Sequence, residues 1–252
     1  MKLANKIAIV TGASSGMGRA IAQLFVQEGA TVIGFARRKD RIDELASTLT
    51  DAAGTLVAFA GDVQEPEAID NLFDFAVKTY GKVDIVVNNA GVMDDMAPAD
   101  ELSDDLWDKV IGVNLTAVMR ITRRALKEML PRESGVFVNI ASLGGLHGAR
   151  AGAAYTASKF GAVGLTQNVG YFYANKGIRA NAICPGAVAT DIGVGMQNAS
   201  PFGLERAMGG FSLNPRTGSA EEIAKVALFL ASDDSSFVNA TTVVADAGWG
   251  AY

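Results

Sequence analysis

The octapeptide Thr11-Gly12-Ala13-Ser14-Ser15-Gly16-Met17-Gly18 constrains what this chain can fold into more than any other stretch of it. It follows directly on an apolar run at residues 7–10 that reads as a strand, and it leads into a segment with helical spacing at 16–28. Glycines in such a turn let the backbone bend sharply and approach a pyrophosphate closely. The helix start then offers unpaired N–H groups and a partial positive charge. A strand–turn–helix unit whose glycines serve only as caps would use the same residues, so the octapeptide gains weight from what surrounds it.

The rest of the chain repeats the pattern. Short runs rich in Val and Ile occupy residues 7–10, 31–35, 56–59, 84–87, 136–140, 179–183 and 242–245. Each is mostly apolar on both faces, as expected of strands in a parallel sheet covered by helices on both sides. Helical segments lie between them at 16–28, 40–49, 66–79, 104–129, 152–174 and 220–231. Ser103 before Asp104 and Asp105, and Ser219 before Glu221 and Glu222, read as helix caps with acidic first turns. The alternation predicts an α/β fold, a single doubly wound Rossmann-type domain over residues 1–252 with a seven-stranded parallel sheet and helices on both faces. The stretch 192–214 breaks the rhythm with Gly193, Gly195, Gly203, Gly209 and Gly210 among Met196, Phe202, Met208 and Phe211. It reads as a mobile apolar lid rather than a second domain.

Composition removes several functions. A net charge of −5 argues against a nucleic-acid partner, because phosphate binding needs a positive footprint. One cysteine, Cys184, and one histidine, His147, supply neither a disulfide nor a cluster of metal ligands, so no metal is expected. The apolar run after Lys6 is too short for a signal-peptide core, and no stretch reads as a membrane span, so a cytoplasmic protein is expected.

Further elements follow in order. Asp62-Val63 comes after the third strand, Asn88-Asn89-Ala90-Gly91 after the fourth, and Asn114 lies in a helix. Ser142 ends the fifth strand, Tyr155 and Lys159 are one helical turn apart, and Pro185-Gly186-Ala187-Val188-Ala189-Thr190 ends the sixth strand. With the octapeptide, and with Ser142, Tyr155 and Lys159 taken as one set, these make six elements that resemble the short-chain dehydrogenase/reductase family, in its short single-domain branch, along the whole chain. The resemblance implies a nicotinamide cofactor held by Gly12, Ser14, Ser15, Gly16, Met17 and Gly18, by Asp62 and Val63 at the adenine, and by Asn89, Ala90 and Gly91. It extends the contacts to Tyr155 and Lys159, and to Pro185, Gly186, Val188 and Thr190 in the segment that closes over the nicotinamide. It also implies the catalytic set Asn114, Ser142, Tyr155 and Lys159.

The residues refine that picture. NAD-binding folds place a carboxylate at the end of the second strand to accept bonds from the ribose diol. Here that position is Ala36, followed by Arg37 and Arg38, whose guanidinium groups suit a 2′-phosphate. NADP(H) is therefore expected, with Arg37 the first candidate ligand and Arg38 the second. The alternative is that both arginines solvate a helix start. The family's second basic support, just before the second loop glycine, is missing, since that position is Ser15. A lysine ammonium one turn from a tyrosine favours phenolate, so Tyr155 is expected to pass a proton to or from the substrate oxygen, with Ser142 bonded to the same oxygen. The resemblance gives Lys159 a hold on the nicotinamide ribose and Asn114 a water in a proton relay.

The walls of the expected substrate pocket are Met93, Leu143, His147, Met196, Phe202 and Met208, mostly apolar and rich in methionine. They suit a bulky hydrophobic ketone or secondary alcohol, steroid-like in size. Two alternatives stand beside this. One is a 3-oxoacyl carrier-protein reductase, for which Arg132 and Lys176 are the candidate basic residues. The other is a non-catalytic dinucleotide-sensing regulator. The helices at 104–129 and 152–174 carry surplus apolar surface, and residues 247–252 are also apolar. Both features fit packing between subunits, and the family resemblance implies a homotetramer.

Overall fold

Successive residues of strand β1 (Ile7–Thr11) face two different apolar layers. Ala8 and Val10 join one layer, and Ile7 and Ile9 join the other. This period of two, apolar on both sides, forces helices onto both faces of the sheet. The computed structural model describes residues 1–196 and 198–251. The remaining strands are β2 (Thr31–Ala36), β3 (Thr55–Ala60), β4 (Ile85–Asn88), β5 (Gly135–Ile140), β6 (Ile178–Pro185) and β7 (Thr242–Ala245). They form one sheet in the order β3-β2-β1-β4-β5-β6-β7, every pair parallel. This is the doubly wound Rossmann-type sheet read from the sequence.

Helices α1 (Gly16–Gln27), α2 (Lys39–Ser47) and α3 (Pro66–Tyr80) follow the first three strands. Then come α4 (Asp104–Ile111), α5 (Ala117–Met129), α6 (Ala153–Phe172), α7 (Pro201–Phe211) and α8 (Ala220–Ala231). One face is covered by α1 and α8, through Ile21, Phe25, Ile223 and Leu228. The other is covered chiefly by α3 and α5, through Phe73, Ile121 and Met129. The strand order reverses between β1 and β4, and a crevice opens there at the carboxyl ends of the strands.

Two differences from the sequence reading have physical causes. The segment 104–129 is not one α-helix, because a π-helical turn at Gly112–Thr116 joins α4 to α5 and carries Asn114. The segment 192–214 is not irregular throughout. Ser200 caps α7 by accepting the Gly203 amide at 2.9 Å, and Pro201 sits at the first helical position. Trp249, in the apolar C-terminal tail, packs first within its own chain. It is buried in its own chain, with its indole N–H donating to the Gly210 carbonyl at 2.8 Å, the Arg150 guanidinium 4.1 Å from its ring centre and Phe211 edge-on. Tyr252, also placed in that apolar tail, lies outside the described residues. The two caps agree with the sequence: Ser103 accepts from Leu106 N, and Ser219 forms a capping box with Glu222. No helix among the described residues is long and apolar enough to cross a membrane.

Asp84, just before β4, ties the amino end of the sheet. Its carboxylate accepts from Ile7 N at 2.9 Å and meets Lys82 at 2.8 Å and Arg132 at 3.1 Å. Burial raises its pKa, but Lys82, the Ile7 amide and Arg132 outweigh burial and hold it below the usual carboxylate value. Its stabilisation is therefore complete above the unfolded pKa and is lost as pH falls through the lower folded one. Asp84→Asn is expected to cost about 2 kcal/mol at neutral pH in urea unfolding, and the difference from wild type should vanish in acid.

Candidate active site

The crevice floor is built by the ends of β1 and β4. Thr11 Oγ1 accepts the amides of Asn89 at 2.9 Å and Ala90 at 3.0 Å, and Asn89 Nδ2 donates to the Thr11 carbonyl at 2.9 Å. The asparagine turn is thereby fixed to the glycine-rich loop. Gly12 has φ +66°, and a methyl group on Gly18 would overlap Asn89 Nδ2 and the Gly12 carbonyl oxygen. Both positions need glycine, one for its backbone conformation and the other for close packing. Ser15, the N-cap of α1, makes no side-chain bond to the first turn, and that turn carries no acidic residue. Its first amides remain for an anion, so the cradle fits a dinucleotide pyrophosphate.

Around the cradle, Arg38 lies over the loop, with Nη2 3.2 Å from Ser15 Oγ and 3.4 Å from Ser14 Oγ. Arg37 is highly exposed and reaches Asp62 at 4.0 Å. Of the two arginines, Arg38 is the one whose side chain meets the glycine-rich loop. Val63 is buried in the core beside Phe35, and Met17 packs partly buried on the other layer. Thr190 lies against Gly16, its methyl carbon 3.2 Å from where a side chain on that glycine would begin. Val188 pairs with Gly218 outside the sheet. Pro185 ends β6 beside Ala245, and the Gly186 amide donates to the Ala245 carbonyl. The segment 185–190 is therefore anchored from both sides.

Beyond the cradle, Ser142, Tyr155, Lys159 and Asn114 converge. Gly144 lies between the first two, its added methyl 3.4 Å from both Ser142 Oγ and Tyr155 Cε1. Lys159 Nζ donates to the Ile140 carbonyl at 2.9 Å and stands 5.5 Å from the Tyr155 ring centre. Gly91 faces Asn114 Oδ1 and Lys159 Nζ together. Asn114 exchanges two 2.9 Å bonds with the backbone of Val92 and donates to Ser158 Oγ at 3.1 Å. The π-turn gives Asn114 its place in the helix, which an uninterrupted 3.6-residue period would not supply.

Burial sets the protonation of this group. It pushes the Tyr155 phenol up to about 12, against a downward pull from Ser142 and with the Asp94 charge adding to the rise. It pushes Lys159 down to about 8. The sequence reading had Lys159 drawing Tyr155 toward phenolate. In the folded chain desolvation acts in the opposite direction and favours the neutral phenol.

The expected pocket walls divide. Met93 packs in the small apolar cluster that contains Tyr155. Leu143 is fully buried beneath Gly250, and His147 Nε2 also faces Gly250, so both lie under the C-terminal turn. Met196 is half-buried beside Gly193, while Phe202 and Met208 stand exposed on α7. The structure therefore does not enclose Phe202 and Met208 as walls. Sequence reasoning missed Thr11, Ser158 and above all Asp94. Nothing in the string distinguishes Asp94 from Asp95, yet Asp94 is fully buried.

A nucleotide cradle opening onto a buried tyrosine and lysine is the equipment of an oxidoreductase that acts on CH–OH and C=O groups with a nicotinamide cofactor. The comparisons with known proteins agree. A family described as enoyl-(acyl carrier protein) reductase matches residues 12–250. The chain is 44% identical to 3beta-hydroxysteroid dehydrogenase 2 of Eggerthella lenta over 99% of this chain and 96% of that protein. It is 35% identical to the 3-oxoacyl-[acyl-carrier-protein] reductase FabG of Thermotoga maritima over 98% and 99%. A solved structure from Beutenbergia cavernae, provisionally assigned as an NAD(P)-dependent gluconate 5-dehydrogenase with NADP bound at low occupancy, superposes with a TM-score of 0.88. It is 37% identical over 100% of this chain and 99% of that one. The chain belongs to the short-chain dehydrogenase/reductase family.

Proposed function

We propose that this protein is an NADP(H)-dependent oxidoreductase that interconverts a hydrophobic cyclic ketone and its secondary alcohol, with a 3β-hydroxysteroid-like molecule as the substrate class. The observation that carries the reading is the convergence of the buried Tyr155 with Ser142 and Lys159, beside an apolar cluster that includes Met93. A neutral phenol is the form that donates a proton to a carbonyl oxygen. Ser142 bonds the same oxygen and steadies charge developing on it. Lys159, 5.5 Å from the Tyr155 ring centre, keeps a positive charge near the proton donor, and Asn114 with Ser158 fixes the polar floor beside it. The nicotinamide supplies the hydride when bound. The cradle of Gly12, Ser14, Ser15, Gly16, Met17 and Gly18 takes its pyrophosphate, and Asp62, Val63, Asn89, Ala90 and Gly91 flank the adenosine and ribose. Pro185, Gly186, Val188 and Thr190 close the other side. Arg38 over the two loop serines, with no carboxylate at Ala36, supports NADP over NAD. The Eggerthella relative's printed activity on a 3beta-hydroxysteroid supports the substrate class.

A 3-oxoacyl carrier-protein reductase is the second reading, favoured by the Thermotoga relative. It needs basic residues free for an acidic carrier. Arg132 is occupied by Asp84 and the Val83 carbonyl, and Lys176 pairs with Glu133 at 3.2 Å. A dinucleotide sensor would not need the neutral tyrosine. Initial rates of NADPH oxidation on a 3-oxosteroid, cyclohexanone and an acetoacetyl thioester separate the three. The expected order places the steroid first. A preference for the thioester supports the carrier-protein reading, and no turnover with any carbonyl supports the sensor.

The same reading includes a homotetramer, with a homodimer next. Phe160, Tyr171 and Phe172 stand exposed along α6, and Val244 stands exposed on the edge strand β7, as a buried subunit contact requires. Residues 192–214, with α7 at their centre, serve as the substrate lid.

A further inference from the structure

We infer that Asp94 is the positioning residue of this site, fixing through its buried carboxylate the first turn of the helix that presents Tyr155 and tying that turn to the lid helix. The inference rests on the assignment of Tyr155 as proton donor. Tyr155 is the third residue of α6, so its own amide has no acceptor within the helix, and Gly152 at the N-cap brings no side chain. Asp94 supplies what both lack. Its Oδ2 accepts the Tyr155 amide at 2.7 Å and its Oδ1 accepts the Gly152 amide at 3.1 Å. The Ala97 carbonyl takes the amide between them, that of Ala153, at 2.9 Å. The turn 94–97 therefore grips three free amides at the start of α6, those of Gly152, Ala153 and Tyr155.

The fit is close from the helix side. A methyl group on Gly152 would come within 2.6 Å of Asp94 Oδ2. It also costs the backbone something, since Asp95 and Met96 both take positive φ, +56° and +55°. Two consecutive left-handed residues that are not glycine persist only where surrounding contacts hold them. Those contacts include the lid: the Ser200 amide, at the cap of α7, donates to the Asp95 carbonyl at 2.9 Å, and Gly203 packs on the Met96 carbonyl. Ser200 is itself buried. A shift of the turn is thus felt at the Tyr155 hydroxyl and at the start of α7 together.

Asp94 enters no ion pair among the described residues, and burial raises its pKa while the amides of Tyr155, Gly152 and Met96 lower it. Around Tyr155 the ionisable groups are Asp94 on the loop after β4, Lys159 on its own helix and Cys184 near the end of β6, with the Ser142 hydroxyl beside the phenol. The Asp94 charge opposes phenolate formation. Removing it should move the ionisation of Tyr155 to lower pH, opposite in direction to a simple loss of activity.

The test compares Asp94→Asn with wild type in oxidation of a 3β-hydroxysteroid and of cyclohexanol across pH, with NADPH affinity read by fluorescence. The expected result is a kcat lower by about tenfold or more, an NADPH Kd within about twofold, and a rising limb of the oxidation profile displaced to lower pH. An unchanged kcat overturns the inference, and so does a lowered kcat with an unmoved limb, which marks a merely structural role. Amide exchange in the wild-type protein needs neither a substrate nor a folded variant. Gly152 and Tyr155 should exchange as slowly as the interior of α6, and exchange at the free-peptide rate at either one overturns the inference. Tyr155→Phe run alongside separates the two claims. If that variant retains turnover, the assignment of Tyr155 fails. If it is inactive while Asp94→Asn behaves as wild type, the role of Asp94 alone fails.

Discussion

Tyr155→Phe should lower the rate of ketone reduction by about 10³-fold while leaving the NADPH Kd within about twofold of wild type. The substitution keeps the ring, and with it the packing against Met93 and Ala154, and removes only the hydroxyl that the proposed reaction uses as its proton donor. A smaller fall, under about tenfold, would mean that the substrate oxygen takes its proton from elsewhere. The same residue sets the pH behaviour. With the phenol pushed up to about 12, Tyr155 stays a proton donor throughout the neutral range, so its own ionisation does not limit reduction there. Lys159, pushed down to about 8, loses its charge first. Reduction should therefore hold level below that pH and decline above it, whereas oxidation of the alcohol, which needs the phenolate, should climb with pH. A reduction rate that is level through pH 8 would remove Lys159 from the account.

Arg38→Leu should weaken NADPH binding by about 2–3 kcal/mol, a factor of about 30 to 150, and leave NADH binding nearly unchanged. Arg38 sits over the hydroxyls of Ser14 and Ser15, where a 2′-phosphate would accept a charge-assisted bond from it. Arg37→Leu should have the smaller effect, because that side chain extends toward Asp62 and is largely in solvent. Adding Ala36→Asp to Arg38→Leu places a carboxylate where the ribose diol would meet it and should turn the preference to NADH. A double variant that still prefers NADPH would show that other groups read the phosphate.

Much of this was legible in the chain because local rules and global architecture agree along it. The runs around Ile9, Ile33 and Val86 are apolar on both faces, and only a sheet covered on both sides satisfies that pattern. The glycine octapeptide and the asparagine turn lie at strand ends, so finding the strands located them, and the Tyr155–Lys159 spacing is one helical turn within α6. What escaped depends on contacts distant in sequence. The π-turn around Asn114 has no composition signal. Asp94 differs from Asp95 only by a turn that buries one of them and is held in part by Ser200. Glycines at 203, 209 and 210 hid α7, although the Ser200-Pro201 start was a legible cap. The burial around Tyr155 escaped for a similar reason. Spacing shows that Lys159 is near, but only the fold shows how completely both are desolvated.

The central claim is that hydride passes between NADPH and a carbonyl carbon in this cleft. Incubating the enzyme with a 3-oxosteroid and NADPH deuterated at the transferring position of nicotinamide C4, then weighing the product by mass spectrometry, tests that claim most directly. The expected product is a hydroxysteroid carrying one deuterium at the carbinol carbon, formed by wild type and not by Tyr155→Phe. A product without deuterium, or no product from this ketone or from cyclohexanone, would contradict that claim.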